Sequence, residues 1–416
     1  MWDPIEPGDW RTSKRTDLDS VQGSVASIIN RVKEGGDQAL VDITSELDRM
    51  TLEDIRIPEE ELLQAYDQVD PIVVKALNDS YYRISRFHRE QLPSPSWYCD
   101  SGPGIVLGMK SEPLDSVGAY IPGGRAAYPS TVLMATIPAR VAGVSRICCC
   151  TPPPVNPITK VALHIAGVRE AYSLGGAQAI AAMALGTETI SPVRKIVGPG
   201  NIYVTAAKIM LSDHVDIDFP AGPSEIVILA DKTSNPEFIA ADILAQAEHD
   251  PMASCALVTL DLDLPGKVWD TLEKRLVNAP RREIMEKALE NAGYTVVDDL
   301  ESGIEACNLM APEHLSLQVD DPWSIVDRMR NAGAIFLGGY SAVACGDYAS
   351  GTNHILPTAG YPSIRSGLDV NHFLRRTSIQ MISREGLDHI GKTVMTLARA
   401  EGLHEHARSI EVRERD

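Results

Sequence analysis

Ser116-Val117-Gly118-Ala119-Tyr120-Ile121-Pro122-Gly123-Gly124 is the stretch that decides the fold. A short apolar run ends in paired glycines, and a helical pattern begins near Ser130. The same order recurs three times downstream. Arg146 to Cys150 leads through Pro152-Pro153-Pro154 to a helix ending near Leu163. Ala171 to Leu174 leads through Gly175-Gly176 to an alanine-rich helix ending near Leu185. Lys195-Ile196-Val197 leads through Gly198-Pro199-Gly200-Asn201 to a helix ending near Met210. Strands alternating with helices predict an α/β fold whose parallel sheet is covered on both faces.

Downstream, a second α/β unit is expected. Its strands are Ser224–Ala230, Cys255–Leu260, Tyr294–Val297, Leu315–Val319 and Gly333–Leu337. Its helices are Pro236–His249, Pro265–Leu276, Arg281–Asn291, Ser302–Leu309 and Trp323–Asn331. The similar content of the two units suggests an old duplication, although the sequence holds no clear repeat. Upstream, Ser20–Lys33, Asp37–Arg49 and Pro71–Gln91 read as helices, and Trp97–Pro113 as short strands turning at Gly102-Pro103-Gly104. After Pro357 helices are expected at Asp369–Arg375 and Leu387–Ala398, then a charged tail suited to packing on a partner subunit.

With 416 residues the chain can bury two substantial domains, and its net charge of -19 argues against nucleic acid as a partner. Seven cysteines, three of them consecutive and none in a CxxC pair, argue against a disulfide framework or a thiolate zinc site. Met1-Trp2-Asp3-Pro4 does not open a signal peptide, and no apolar run is long enough to span a bilayer. A cytoplasmic protein without a membrane partner is expected.

The turns Gly123-Gly124, Gly175-Gly176 and Gly198-Pro199-Gly200 all stand where strands hand over to helices. Backbone amides there suit a phosphate or a dinucleotide, although no GxGxxG occurs and each turn alone reads equally as a tight connection. Four polar clusters interrupt the apolar pattern. Gln246 and His249, at the end of the Pro236–His249 helix, offer half a metal site or merely a solvated helix end. Glu313-His314 offers two bases of different strength, or a turn carrying surface charge. Gly346 to His354 is a small-residue loop holding Asp347 and His354. Glu401 to His406 holds two further histidines and two carboxylates. His354 and His406 read alone as structural histidines.

Together these motifs resemble the histidinol dehydrogenase family, from about Gly36 to Ile410. The resemblance rests on Tyr120–Gly124, Gly175–Ala179, Gly198–Asn201, Pro220–Glu225, Gln246–His249, Pro312–Leu315 and Gly346–His354. It implies two incomplete Rossmann-like units of aldehyde-dehydrogenase type, N-terminal helices and a swapped C-terminal dimerisation arm. The implied boundaries are an N-terminal arm with part of the first domain (1–114), an NAD-binding domain (115–223), a zinc-bearing and catalytic domain (224–362) and the arm (363–416).

By the same resemblance, Gln246, His249, Asp347 and His406 are the zinc ligands, His406 coming from the other subunit of a homodimer. Glu313 and His314 are the proton acceptors. Ser224, His354 and Glu401 hold L-histidinol, Glu401 again reaching across, and Tyr120, Gln178 and Asn201 contact NAD. The implied reaction oxidises L-histidinol to L-histidine through L-histidinaldehyde with two NAD+, the last steps of histidine biosynthesis. No cysteine stands at a matching site, so no thioester is expected. Ala311 stands where the family commonly has glycine. Competing readings are a related dehydrogenase of another amino or sulfonated alcohol, and a non-redox zinc protein.

Overall fold

The computed structural model describes residues 2–10, 18–123, 127–220 and 222–414. Gly124 of the first glycine turn and Ala221 of the Pro220–Glu225 motif lie outside the described residues. The chain divides into two compact units, one of residues 1–91 with 115–373, the other of 92–114 with 374–416.

The first unit holds two six-stranded sheets. In one the order is Arg56–Ile57, Glu170–Ser173, Arg146–Thr151, Ser116–Tyr120, Lys195–Val197, Asp216–Ile217, parallel except for the first strand. In the other it is Asp3–Pro4, Gly293–Val296, Ser254–Thr259, Glu225–Ala230, His314–Gln318, Ala334–Leu337, parallel throughout. In both sheets the chain lays its successive strands outward from a central strand, Ser116–Tyr120 or Glu225–Ala230, to one side and then to the other. The two sheets thus share one strand order. It places a topological switch point between Ser116–Tyr120 and Lys195–Val197, and a second between Glu225–Ala230 and His314–Gln318.

Alternation fills both faces of the second sheet. Ile226, Ile228, Cys255 and Leu257 enter one core, while Val227, Leu229, Ala256 and Val258 enter the other. On the first sheet, Cys148, Cys150, Tyr172 and Ile196 pack with residues of the long helix Asp19–Asp48. That helix breaks at Gly36 (φ 53°), close to the boundary expected from Gly35-Gly36. A side chain there would run into the Glu188 carboxylate, which caps the amide of Asp37 at 2.8 Å.

Several local expectations fail. The helix Pro236–Ala247 ends two residues before His249, whose amide still donates to the Gln246 carbonyl at 3.3 Å, so the two residues share the turn that closes the helix. Glu248 caps the helix, and the chain turns through Asp250-Pro251. No helix covers 323–331, only two short 3₁₀ turns, Pro322–Ser324 and Val326–Arg328. Asn308 explains this: its side chain binds the carbonyl of Arg328 (3.0 Å) and the amide of Arg330 (2.7 Å), displacing helical hydrogen bonds. Asp347 lies on the short helix Val343–Tyr348 rather than in a loop. Ala311 closes the helix Leu300–Met310 in the left-handed region (φ 47°), which explains why glycine suits that position.

The second unit is a three-stranded antiparallel sheet, Leu374–Ile382, Ile105–Pro113, Ser96–Asp100, with helices Arg384–Ala400 and His404–Glu414. The helix expected at 369–375 is instead a turn, Val370–Phe373. Asp369 binds the amides of Asn371 and His372, and the chain then enters the strand. The strand is mostly exposed, so no apolar alternation announced it. The charged tail is helical, and Arg399 pairs with Glu411 across the two helices.

Candidate active site

Glu313 and His314 meet at the amino end of the strand His314–Gln318, beside the start of the strand Glu225–Ala230. Both are buried, at 5% exposure each. Both are held by the backbone of Glu225 on the adjacent strand. Its amide donates to Oε2 of Glu313 at 2.9 Å, and its carbonyl lies 3.0 Å from Nδ1 of His314. Ser224 adds a side-chain hydrogen bond to Glu313. Glu225 is itself buried, and Oε1 accepts the amide of Ala359 at 3.1 Å.

The electrostatics follow from this burial. Desolvation pushes the Glu313 carboxyl well above the usual carboxylate range, reinforced by the nearby carboxylates of Glu225 and Asp347. Desolvation likewise lowers His314 to about 4, and the positive forms of His249 and His354 add to the effect. His354 is lowered to about 4 mainly by burial. Its Nδ1 lies 3.1 Å from the Asp347 carbonyl, and its Nε2 lies 3.3 Å from the Thr131 hydroxyl. Asp347 rises to about 7 through desolvation. His249 is exposed by its own surface area, yet enough protein surrounds it for desolvation to lower its pKa. The carboxamide nitrogen of Gln246 is buried without a partner.

Ser224, Glu313, His314, Asp347, His249 and His354 are thus close enough to bind or perturb one another. Among the described residues, no three His, Cys, Asp or Glu side chains gather as a metal-holding group. The expected donor set has only two such residues in this unit, His249 and Asp347, beside the amide of Gln246. Glu401 and His406 belong to the second unit, where both are exposed. Glu401 caps the helix Arg384–Ala400, and His406 stands in the first turn of the helix His404–Glu414.

Tyr120, Gln178 and Asn201 surround the first switch point, at the carboxyl ends of its strands. The amide of Gly176 donates to the Tyr120 hydroxyl at 3.1 Å. Gln178 is 1% exposed, and its carboxamide oxygen has no partner. Asn201 caps the helix Ile202–Met210, its side-chain oxygen accepting the amides of Tyr203 and Val204 at 3.0 and 3.1 Å. That oxygen is therefore committed to the cap, and only the amide nitrogen of the side chain is left to reach outward.

The sequence reading missed Glu225 as an organiser of the site. A carboxylate opening an otherwise apolar strand, Glu-Ile-Val-Ile-Leu-Ala, marks the position as unusual, although the hold on Glu313 and His314 is made by its backbone. It also missed Thr131, whose hydroxyl no pattern distinguishes within an apolar helix.

The family model for histidinol dehydrogenase matches residues 11–414. The histidinol dehydrogenase of Methanothermobacter thermautotrophicus is 50% identical over 407 residues, covering 97% of this chain and 95% of that protein. The one from Methanosarcina barkeri is 47% identical over 405 residues, covering 96% and 94%. The crystal structure of histidinol dehydrogenase from Elizabethkingia anophelis superposes with a TM-score of 0.94 at 37% identity, covering 99% of this chain and 97% of that one. This chain belongs to the histidinol dehydrogenase family.

Proposed function

We propose that this chain oxidises L-histidinol to L-histidine through L-histidinaldehyde with two NAD+, the last steps of histidine biosynthesis. In this reading a zinc ion helps to hold the substrate, and two copies share their sites. The observation that carries it is the buried Glu313–His314 pair fixed to the Glu225 backbone, beside His249, His354 and Asp347, in a chain of this family.

The groups around the pair suit a metal. Asp347 is a carboxyl that burial raises to about 7, a desolvation penalty that a bound cation would offset. Gln246, His249, Asp347 and a partner copy's His406 would form a mixed oxygen and nitrogen set that suits zinc. When bound, zinc would act as a Lewis acid that orients the amino alcohol. Tyr120, Gln178 and Asn201 would hold NAD+, which accepts one hydride in each oxidation.

The chain's own groups divide the proton work. A proton on Nδ1 of His314 would be held by the Glu225 carbonyl, which leaves the Nε2 lone pair free. With a pKa near 4 the ring is neutral at physiological pH, ready to take the alcohol proton in the first oxidation. Glu313 would then take a proton from the water that adds to the aldehyde while His314 returns its proton to the carbonyl oxygen, and positive charge in a loaded site would favour the charged form of Glu313 that this needs. The resulting gem-diol gives up its hydride in the second oxidation. Burial of both bases limits water around the aldehyde.

NADH formation with a panel of alcohols tests the substrate. Turnover of L-histidinol supports the proposal. Turnover of a sulfonated diol without turnover of L-histidinol would replace it with the related-dehydrogenase reading.

A further inference from the structure

The Gly198-Pro199-Gly200 turn beside the first switch point is gripped from both sides by one buried ion pair. Lys208 and Asp218 contact each other with their side chains 4% and 1% exposed. Nζ of Lys208 donates to the carbonyl of Gly198 at 3.1 Å, and the amide of Gly198 donates to Oδ2 of Asp218 at 2.8 Å. The other oxygen of Asp218 accepts the amide of Phe219 at 2.7 Å. Both polar groups of one residue are thus tied to opposite charges that are tied to each other.

That residue is under conformational demand. Gly198 has φ +112°, and a side chain there would collide with the carbonyl oxygen of Tyr120. The turn therefore lies directly against the carboxyl end of the Ser116–Tyr120 strand. It also leads straight into Asn201, the cap of the helix that carries Lys208. A left-handed glycine with no tether can swing its two flanking peptides at little cost. The ion pair removes that freedom and fixes the backbone line between Tyr120 and Asn201.

We infer that Lys208 and Asp218 are positioning residues for the dinucleotide, setting the turn 198–200 without touching the ligand themselves. The inference rests on the proposed binding of NAD between Tyr120, Gln178 and Asn201. A buried ion pair is otherwise a poor source of stability, since desolvating two charges offsets most of their attraction. Here its hydrogen bonds to the two peptides that flank Gly198 give it a task that an apolar pair cannot perform.

The test uses the full-length enzyme and NADH as the probe, with binding read by fluorescence and turnover by NADH formation. In Asp218→Asn and Lys208→Met, the Kd for NADH and the KM for NAD+ should rise about tenfold or more, while the KM for histidinol stays within about twofold. The neutral pair Lys208→Gln with Asp218→Asn keeps donors and acceptors without buried charge. It should recover most of the NADH affinity if hydrogen bonding to Gly198 is what matters. Should the single variants fail to fold, the neutral pair decides alone. NADH affinity within about threefold of the parent supports the inference, and affinity as weak as that of a Gly198→Ala variant overturns it. Single variants that fold and bind NADH as the parent does would also overturn it. A parent enzyme that binds no NADH at all would instead overturn the cofactor reading on which it rests.

Discussion

The carbonyl oxygen of Glu225 lies 3.0 Å from Nδ1 of His314, across neighbouring strands in which Ile226 is the register partner of His314. The sheet itself therefore orients the ring. A side chain placed by strand pairing needs no further support to present one nitrogen outward. The same Glu225 residue holds Glu313 through its amide, so one residue of backbone sets two bases.

His314→Gln should lower the rate of alcohol oxidation by about two to three orders of magnitude, the usual span of a lost general base. The KM for histidinol should change little. Single-turnover NADH formation checks this, and a variant within about threefold of the parent would remove His314 from the proton path.

Glu313→Gln should separate the two half-reactions. The amide can still accept the Glu225 amide, so the local fold should persist. Oxidation of supplied histidinaldehyde should fall by at least about tenfold more than oxidation of histidinol to the aldehyde. Equal losses in both would argue against separate roles for Glu313 and His314.

Asp242 makes a prediction about pH. It is buried, accepts a hydrogen bond from Gln318 at 3.0 Å, and desolvation raises its pKa from 3.8 to about 6. A carboxyl raised in the folded state binds its proton more tightly there than in the unfolded chain. Its contribution to stability is thus fully present below the unfolded pKa and is lost as pH rises through the folded one. The window runs from about pH 4 to pH 6, and the loss is on the order of 3 kcal/mol. The difference in unfolding free energy between the parent and Asp242→Asn should change across that window and level off above it. A constant difference would contradict the raised pKa.

His406→Asn should abolish metal retention, and so should Asp347→Asn, each removing one expected donor. Mixed dimers of His406→Asn and Glu313→Gln chains should regain part of the activity, because one of the two sites would then have every residue intact. Verified mixed dimers with no activity would argue that each chain supplies its own His406.

The strand–turn–helix texture made the first sheet legible, because glycines mark the carboxyl ends where the chain leaves the sheet. The second sheet was legible for a different reason, its continuous apolar runs such as Ile226–Ala230. The short strand Asp3–Pro4 was not, since two exposed residues carry no period, and its pairing with Gly293 and Tyr294 depends on chain nearly 300 residues away. The 322–331 segment misled because Ile325 and Met329 keep helical spacing while Asn308 takes the backbone groups a helix would need. At the site, Glu313 and His314 stood out as charge beside an apolar strand. The grip on them did not, because Glu225 holds both through its backbone amide and carbonyl, which its side-chain type does not announce.

Metal content together with the yield of NADH per histidinol tests the central claim most directly. The account predicts two NADH for each histidinol consumed, about one zinc per chain, loss of turnover on chelation and its return with zinc. One NADH per histidinol, or full turnover from metal-free protein, would contradict it.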